Sequence, residues 1–140
     1  MAKFETGGLG DLELTLKEIA EIPDEVAERM VSAGADVVVR AQRQSISEHG
    51  LVNTGQLQSS IKKRVYKAKG KQKPYALVGP SGKRKDSNYT NNDAGFIQEF
   101  GAPGRNIKPA EWMRTAVERS ADAVVNAEIK VWDEWITNID

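Results

Sequence analysis

Apolar residues recur along this chain first at helical spacing, then briefly at alternate positions, then at helical spacing again. Leu9, Leu12, Leu16, Ile19 and Ala20 form one face of a helix over Leu9 to Ile22, with Asp11 and Glu13 in its first turn, where the helix dipole favours negative charge. Pro23 breaks that run and opens a second helix, because proline is tolerated in a first helical turn. Val26, Met30, Ala33, Val37, Val38 and Ala41 carry the spacing on to about Ser47, and His49-Gly50 supplies the stop. Gly34, inside this helix, costs about 1 kcal/mol relative to alanine and leaves room for a second helix to come close. Thr54 is a candidate N-cap for a short turn through Ile61.

Lys62 to Ala68 and Tyr75 to Val78 then read as two strands of a hairpin, joined by a polar turn from Lys69 to Pro74. Residues 79–93, rich in Gly, Ser, Asn and Lys, read as a long mobile loop. Ala94 to Phe100 forms one or two helical turns with Phe96, Ile97 and Phe100 facing inward, stopped by Gly101. Pro109 opens the last helix, from Ala110 to about Asn138. Its main stripe is Met113, Val117, Ala121, Val124, Val131, Trp135 and Ile139, widened by Ala116, Ala123, Ile129, Trp132 and Ile136. The predicted fold class is α+β. A small antiparallel sheet, made of the hairpin plus a short N-terminal strand at Lys3 to Thr6, is packed by helices and followed by a long C-terminal helix. Residues 1–140 suit a single domain.

Composition narrows the chemistry. The chain has no cysteine and one histidine, His49, which excludes disulfides, thiolate sites and multi-histidine metal sites. No apolar run approaches the ~20 residues of a membrane helix, and Met1 to Asp11 lacks a signal-peptide pattern, so a cytoplasmic site of synthesis is expected. The net charge of zero conceals a sorting of charge into blocks. Met1 to Glu48 holds ten acidic and five basic residues, His49 to Lys85 ten basic and no acidic ones, and Asp86 to Asp140 ten acidic and five basic, giving −5, +10 and −5. Such polarity suits contacts between copies or with a charged partner.

Reactive constellations are sparse. Gly79-Pro80-Ser81-Gly82-Lys83 lacks the glycine of a phosphate loop at Leu77 and the hydroxyl residue at Arg84, so it reads as a polar loop. His49 is within reach of Ser45 or Ser47, but no nucleophile elbow surrounds either serine. Asp86, Asp93 and Glu99 have no spacing that fixes a carboxylate pair, and Asp24, Glu25 and Glu28 no calcium-loop spacing. No catalytic residue, cofactor or metal is expected. The Asn88-Tyr89-Thr90 sequon is a coincidence in a cytoplasmic chain. The basic hairpin remains, with Lys62, Lys63, Arg64, Lys67, Lys69, Lys71 and Lys73 interleaved with Tyr66 and Tyr75. It reads either as a ribbon that grips nucleic-acid phosphates or as a solvated hairpin that meets acidic helices of an adjacent copy. Trp132 and Trp135, near the end of the chain, are further candidates for a partner surface.

Val52-Asn53-Thr54-Gly55-Gln56-Leu57-Gln58-Ser59-Ser60-Ile61 resembles the V-D-T-G-x-L-x-x-S-I segment of bacteriophage neck and tail-completion proteins, with Asn53 in place of the usual Asp. Phe96-Ile97-Gln98-Glu99-Phe100-Gly101 is similar to that family's aromatic, acidic and glycine segment. Pro109-Ala110-Glu111-Trp112-Met113-Arg114-Thr115-Ala116 resembles the opening of its final helix, with Glu111 where a second proline would stand. Lys83 to Asn92 looks like an insertion of some members only. The resemblance implies a structural virion protein, a copy in the connector ring that joins a DNA-filled head to the tail. It also implies a ring of about six or twelve copies, adjacent head-completion and tail-tube or terminator proteins as partners, and genomic DNA passing through the lumen without sequence recognition. The place implied is the virion neck or tail, assembled in a bacterial cytoplasm. A nucleic-acid-binding module built on the basic hairpin is the competing reading.

Overall fold

The computed structural model describes residues 22–51, 55–85 and 87–138. The expected strand at Lys3 to Thr6, the helix of Leu9 to Ile22 except for its last residue, the Thr54 cap and Ile139 lie outside the described residues.

Pro23 and the acidic residues after it start a long helix, α1 (Asp24–Glu48), with Asp24 and Glu25 in the first turn. The Pro23 carbonyl accepts from the N–H groups of Val26 and Ala27, both at 3.0 Å. The helix ends at His49, as its sequence punctuation predicts. After a short helix, α2 (Gln56–Ser59), come the hairpin strands β1 (Ile61–Tyr66) and β2 (Tyr75–Pro80). They pair antiparallel with Ile61 opposite Pro80 and Tyr66 opposite Tyr75, and form the one sheet among the described residues. Gly79 and Pro80 therefore belong to a strand. The predicted loop is shorter than its composition suggests, because a helix, α3 (Asn91–Phe100), begins well before Ala94. A 3₁₀ turn (Pro103–Arg105) leads to the last helix, α4 (Trp112–Thr137).

α1 and α4 run antiparallel. At one end Ser45 donates a hydrogen bond to the Trp112 carbonyl at 2.6 Å, and at the other Trp132 packs with Ile22, Val26 and Met30. Between them Gly34 lets the helices close, since a Cβ there would lie 3.1 Å from Val124 Cγ1 and 2.8 Å from Glu128 Oε1. The α4 residues turned toward the core are Trp112, Ala116, Ser120 and Trp132, buried, with Val124, Glu128 and Ile136 half-buried. This row repeats every fourth residue, so the line of contact winds round the helix, as when i±4 ridges cross obliquely. Met113, Val117 and Ala121, assigned inward from sequence, stand one position off it. Val117 and Ala121 are exposed and Met113 is half-buried.

A second core gathers Ile46, Leu57, Ile61 and Trp112 at the base of the hairpin. Ile61 and Pro80 are buried on the hairpin's inner face, and Val65, Ala76 and Val78 are half-buried there. That face lies on α1 through Lys63, which reaches Ser32 and Asp36, and through Arg43, which donates to the Ile61 carbonyl at 2.9 Å. Ser32 and Asp36 lie roughly 160–200° round the helix from Gly34 at 100° per residue. Along the middle of α1 the hairpin and α4 thus take different sides of the helix, while at the base of the hairpin Ile61 and Val78 share a core with Trp112 and Met113 at the start of α4.

Candidate functional site

The alternation of the strands divides the basic block. Lys62, Arg64 and Tyr66 share the outer face with Tyr75, Leu77 and Gly79, their register partners. Leu77 is 58% exposed among them. The Tyr66 and Tyr75 rings stack at 4.7 Å, and the Arg64 guanidinium lies 6.0 Å from the Tyr66 ring centre. Lys67, Lys69, Lys71 and Lys73 are exposed at the tip. Among the described residues no ion pair engages Lys62, Arg64 or these four tip lysines. Lys63 differs. It faces inward, with its ammonium 2.7 Å from Asp36 Oδ1 and 2.8 Å from Ser32 Oγ, and ties the hairpin to α1. Six of the seven predicted cations therefore make no ion pair within the described chain, Arg64 among them donating to the Tyr66 hydroxyl at 3.3 Å, and the seventh is structural.

The aromatic expectations are partly reversed. Trp132, a candidate contact residue, is 3% exposed and belongs to the core, with Trp135 half-buried against it. Its large ring is used within the chain, packed with Ile22, Val26 and Met30 where the start of α1 meets the end of α4. Phe96 and Phe100, expected inward, are 60% and 62% exposed, with ring centres 4.7 Å apart. The inward positions of α3 are instead Asn91, Gly95 and Glu99. Asn91 donates to the Ser81 carbonyl at 2.9 Å. Gly95 lies against Trp112, whose indole N–H donates to its carbonyl at 3.0 Å. A Cβ there would meet Pro80 Cγ and Trp112 Cζ2, both at 3.0 Å.

The candidate chemical groups resolve into supports of the fold. Glu99 is buried, and its carboxylate accepts from the N–H groups of Met113 at 2.6 Å and Arg114 at 3.1 Å. It caps α4 from a neighbouring helix. Residue 111, just before that helix, is held at a φ of +53° and offers no side-chain cap of its own. Helix α4 accordingly begins at Trp112 and not at Ala110. Asp93 forms a capping box with Thr90, whose backbone N–H and side chain hold the Asp93 carboxyl below its ordinary value. The spacing Thr90-x-x-Asp93 carries that signal in the sequence. The Glu99 cap has no local signal, because donor and acceptor lie on different helices.

Ser45 and His49 do come together, with the imidazole Nδ1 3.3 Å from Ser45 Oγ. That nitrogen is also 2.7 Å from the Ser45 carbonyl, to which it must donate, so it has no lone pair for the hydroxyl proton. The hydroxyl itself donates to Trp112 and is buried. Glu48 accepts from Gln44 and pairs with Arg119, and these two contacts, Gln44 first, hold its carboxyl below the ordinary value. Among the described residues no group of acidic or histidine side chains is arranged to hold a metal ion. A surface cleft of about 250 Å³ is bordered by Leu57 and Ile97 together with Arg84, Tyr89 and Arg105. Its described lining holds no carboxylate or imidazole.

Fold and surface together describe an α+β protein in which Glu99, Ser45 and His49 make internal hydrogen bonds, while Phe96, Phe100 and most of the hairpin cations are exposed. A family model described as "Bacteriophage HK97-gp10, putative tail-component" matches residues 10–101, well over half of the chain. The protein belongs to this HK97-gp10-like family of bacteriophage tail components. Two of the three recognised segments, Val52 to Ile61 and Phe96 to Gly101, lie inside the match. The third, and α4 with it, follows its end. No curated protein and no solved structure matches the chain. No helix among the described residues is long and apolar enough to cross a membrane.

Proposed function

We propose that this tail component is a non-catalytic structural subunit of the head–tail connector, one copy in the neck or tail-completion ring through which DNA leaves the head. The observation that carries the reading is the outward placement of Phe96 and Phe100 beside a short supply of aromatic residues, three Phe, three Tyr and three Trp in all. Adjacent exposed rings of this size mark surfaces that other proteins cover. The groups most able to do chemistry (Glu99, Asp93, Ser45 and His49) are meanwhile engaged in caps and internal hydrogen bonds. In this role the chain needs no cofactor. Its partners are further copies of itself and the adjoining head-completion and tail proteins, and it enters the virion during assembly in the host cytoplasm. Particles made without the protein test the role. Filled heads and finished tails should accumulate apart in electron micrographs, and normal joining would refute it.

A second reading, contact with nucleic acid, is favoured by the exposed cations and stacked tyrosines of the hairpin. It predicts DNA binding at low salt that weakens steeply as salt rises. Within a ring, the same residues would face the DNA without reading its sequence.

A further inference from the structure

Resting on the ring reading, we infer that the outer face of the hairpin in one copy docks on the outer face of α4 in the next. The occupant of each face is a second copy of this chain. Three observations converge on this pairing.

The first is that the two faces are unlike. One is the exposed outer face of a two-stranded hairpin and the other an exposed row on one flank of a helix. A contact between unlike faces joins copies head to tail, the contact from which closed rings are built.

The second is shape. On α4, Val117 and Val125 are 59% and 40% exposed, with exposed Ala121 between them. Successive members stand one turn, about 6 Å, apart. On the hairpin, Leu77 and Tyr75 share the outer face at about 7 Å. Leu77 fits over the small Ala121, between the two valines, with Tyr75 one step along the row.

The third is charge. Arg64 stands directly opposite Leu77 in the strand register, and Lys62 lies one step down the same face. On α4, Asp122 follows Ala121 and Glu118 follows Val117. Glu118 is 3.1 Å from Arg114 of its own chain, whereas no ion pair engages Asp122 among the described residues. When Leu77 is seated over Ala121, Asp122 is the acid left for Arg64.

The chain has no cysteine of its own, so introduced thiols report the contact cleanly. Virions are assembled with Leu77→Cys, with Ala121→Cys, or with both in one chain, then oxidised and run on denaturing gels. The double variant should give a ladder of dimers, trimers and higher species, while each single variant stays monomeric. Self-linking of Leu77→Cys alone, or a double variant present in virions without a ladder, overturns the pairing and leaves the ring reading standing. Joined heads and tails that lack the chain altogether overturn both. A charge exchange gives an independent arm. Arg64→Glu should lower the yield of joined particles, and adding Asp122→Arg should restore it. Failure of that restoration, with both variants melting at the wild-type temperature, counts against the contact.

Discussion

Glu99 shows how one side chain can carry an inter-element joint. Its two oxygens satisfy N–H groups at the start of α4 that have no partner inside the helix. Glu99→Ala should therefore cost about 1–3 kcal/mol, since it leaves part-buried donors unpaired. Glu99→Gln, which keeps one acceptor, should cost less, and urea midpoints would order the two. Gly95 supports the same joint by steric means. Gly95→Ala puts a methyl 3.0 Å from both Pro80 and the Trp112 ring, neither of which can turn aside. The loss expected is about 1–3 kcal/mol. Phe96 and Phe100 provide the contrast. Phe96→Ser with Phe100→Ser should leave the melting temperature within a few degrees of wild type, because outward rings contribute little to the folded chain.

At the scale of elements, two carboxylates should tilt stability with pH in opposite directions. Asp93 is held below its ordinary value of 3.8 by the Thr90 backbone N–H and hydroxyl, so its contribution is complete above that value. It is lost as pH falls through the depressed value. Glu128, beside Gly34, is pushed above its ordinary value of 4.5 by burial, so its ionised form weighs against folding at neutral pH. Glu128→Gln should raise the melting temperature at pH 7. The gain should vanish as pH drops through the raised value toward 4.5, a trend that melting curves at a series of pH values would reveal. The same residues explain what the sequence made legible. Helix α1 and the hairpin were readable because Pro23, His49-Gly50 and the Lys69 to Pro74 turn punctuate them with local chemistry. The inward face of α3 was not, since Asn91, Gly95 and Glu99 occupy it and an apolar count selects Phe96 and Phe100 instead. On α4, Ser120 and Glu128 lie on the contacting row, so the apolar stripe drawn through Met113, Val117 and Ala121 ran beside it. The basic block was plain from composition. The inward turn of Lys63 was implicit only in the alternation of Ile61, Lys63 and Val65, and it took the position of Asp36 to give it a purpose.

For the whole molecule, zero net charge combined with sorted blocks makes association depend on how copies are oriented rather than on overall attraction. Lys67, Lys69 and Lys71 extend beyond the strands into the turn, where no acid of their own chain among the described residues pairs with them. In the proposed connector, their field would meet what lies past the hairpin, an acidic helix of another virion subunit or DNA. Reversal of all three to glutamate alters no ion pair within the described chain, so folding should survive and the circular dichroism spectrum should match wild type. Joining of heads to tails should fail, because three attractive positions become repulsive at one edge. Salt then separates the two partners. Across a protein contact the attraction fades with a screening length of about 10 Å at 0.1 M, while burial of apolar side chains persists, so wild-type assembly should slow with salt without disappearing. Contact with DNA phosphates releases counterions and should fall by about a thousandfold or more between 50 and 200 mM salt if all six cations without an ion pair take part. Normal joining by the triple variant would show that the tip charges serve neither partner.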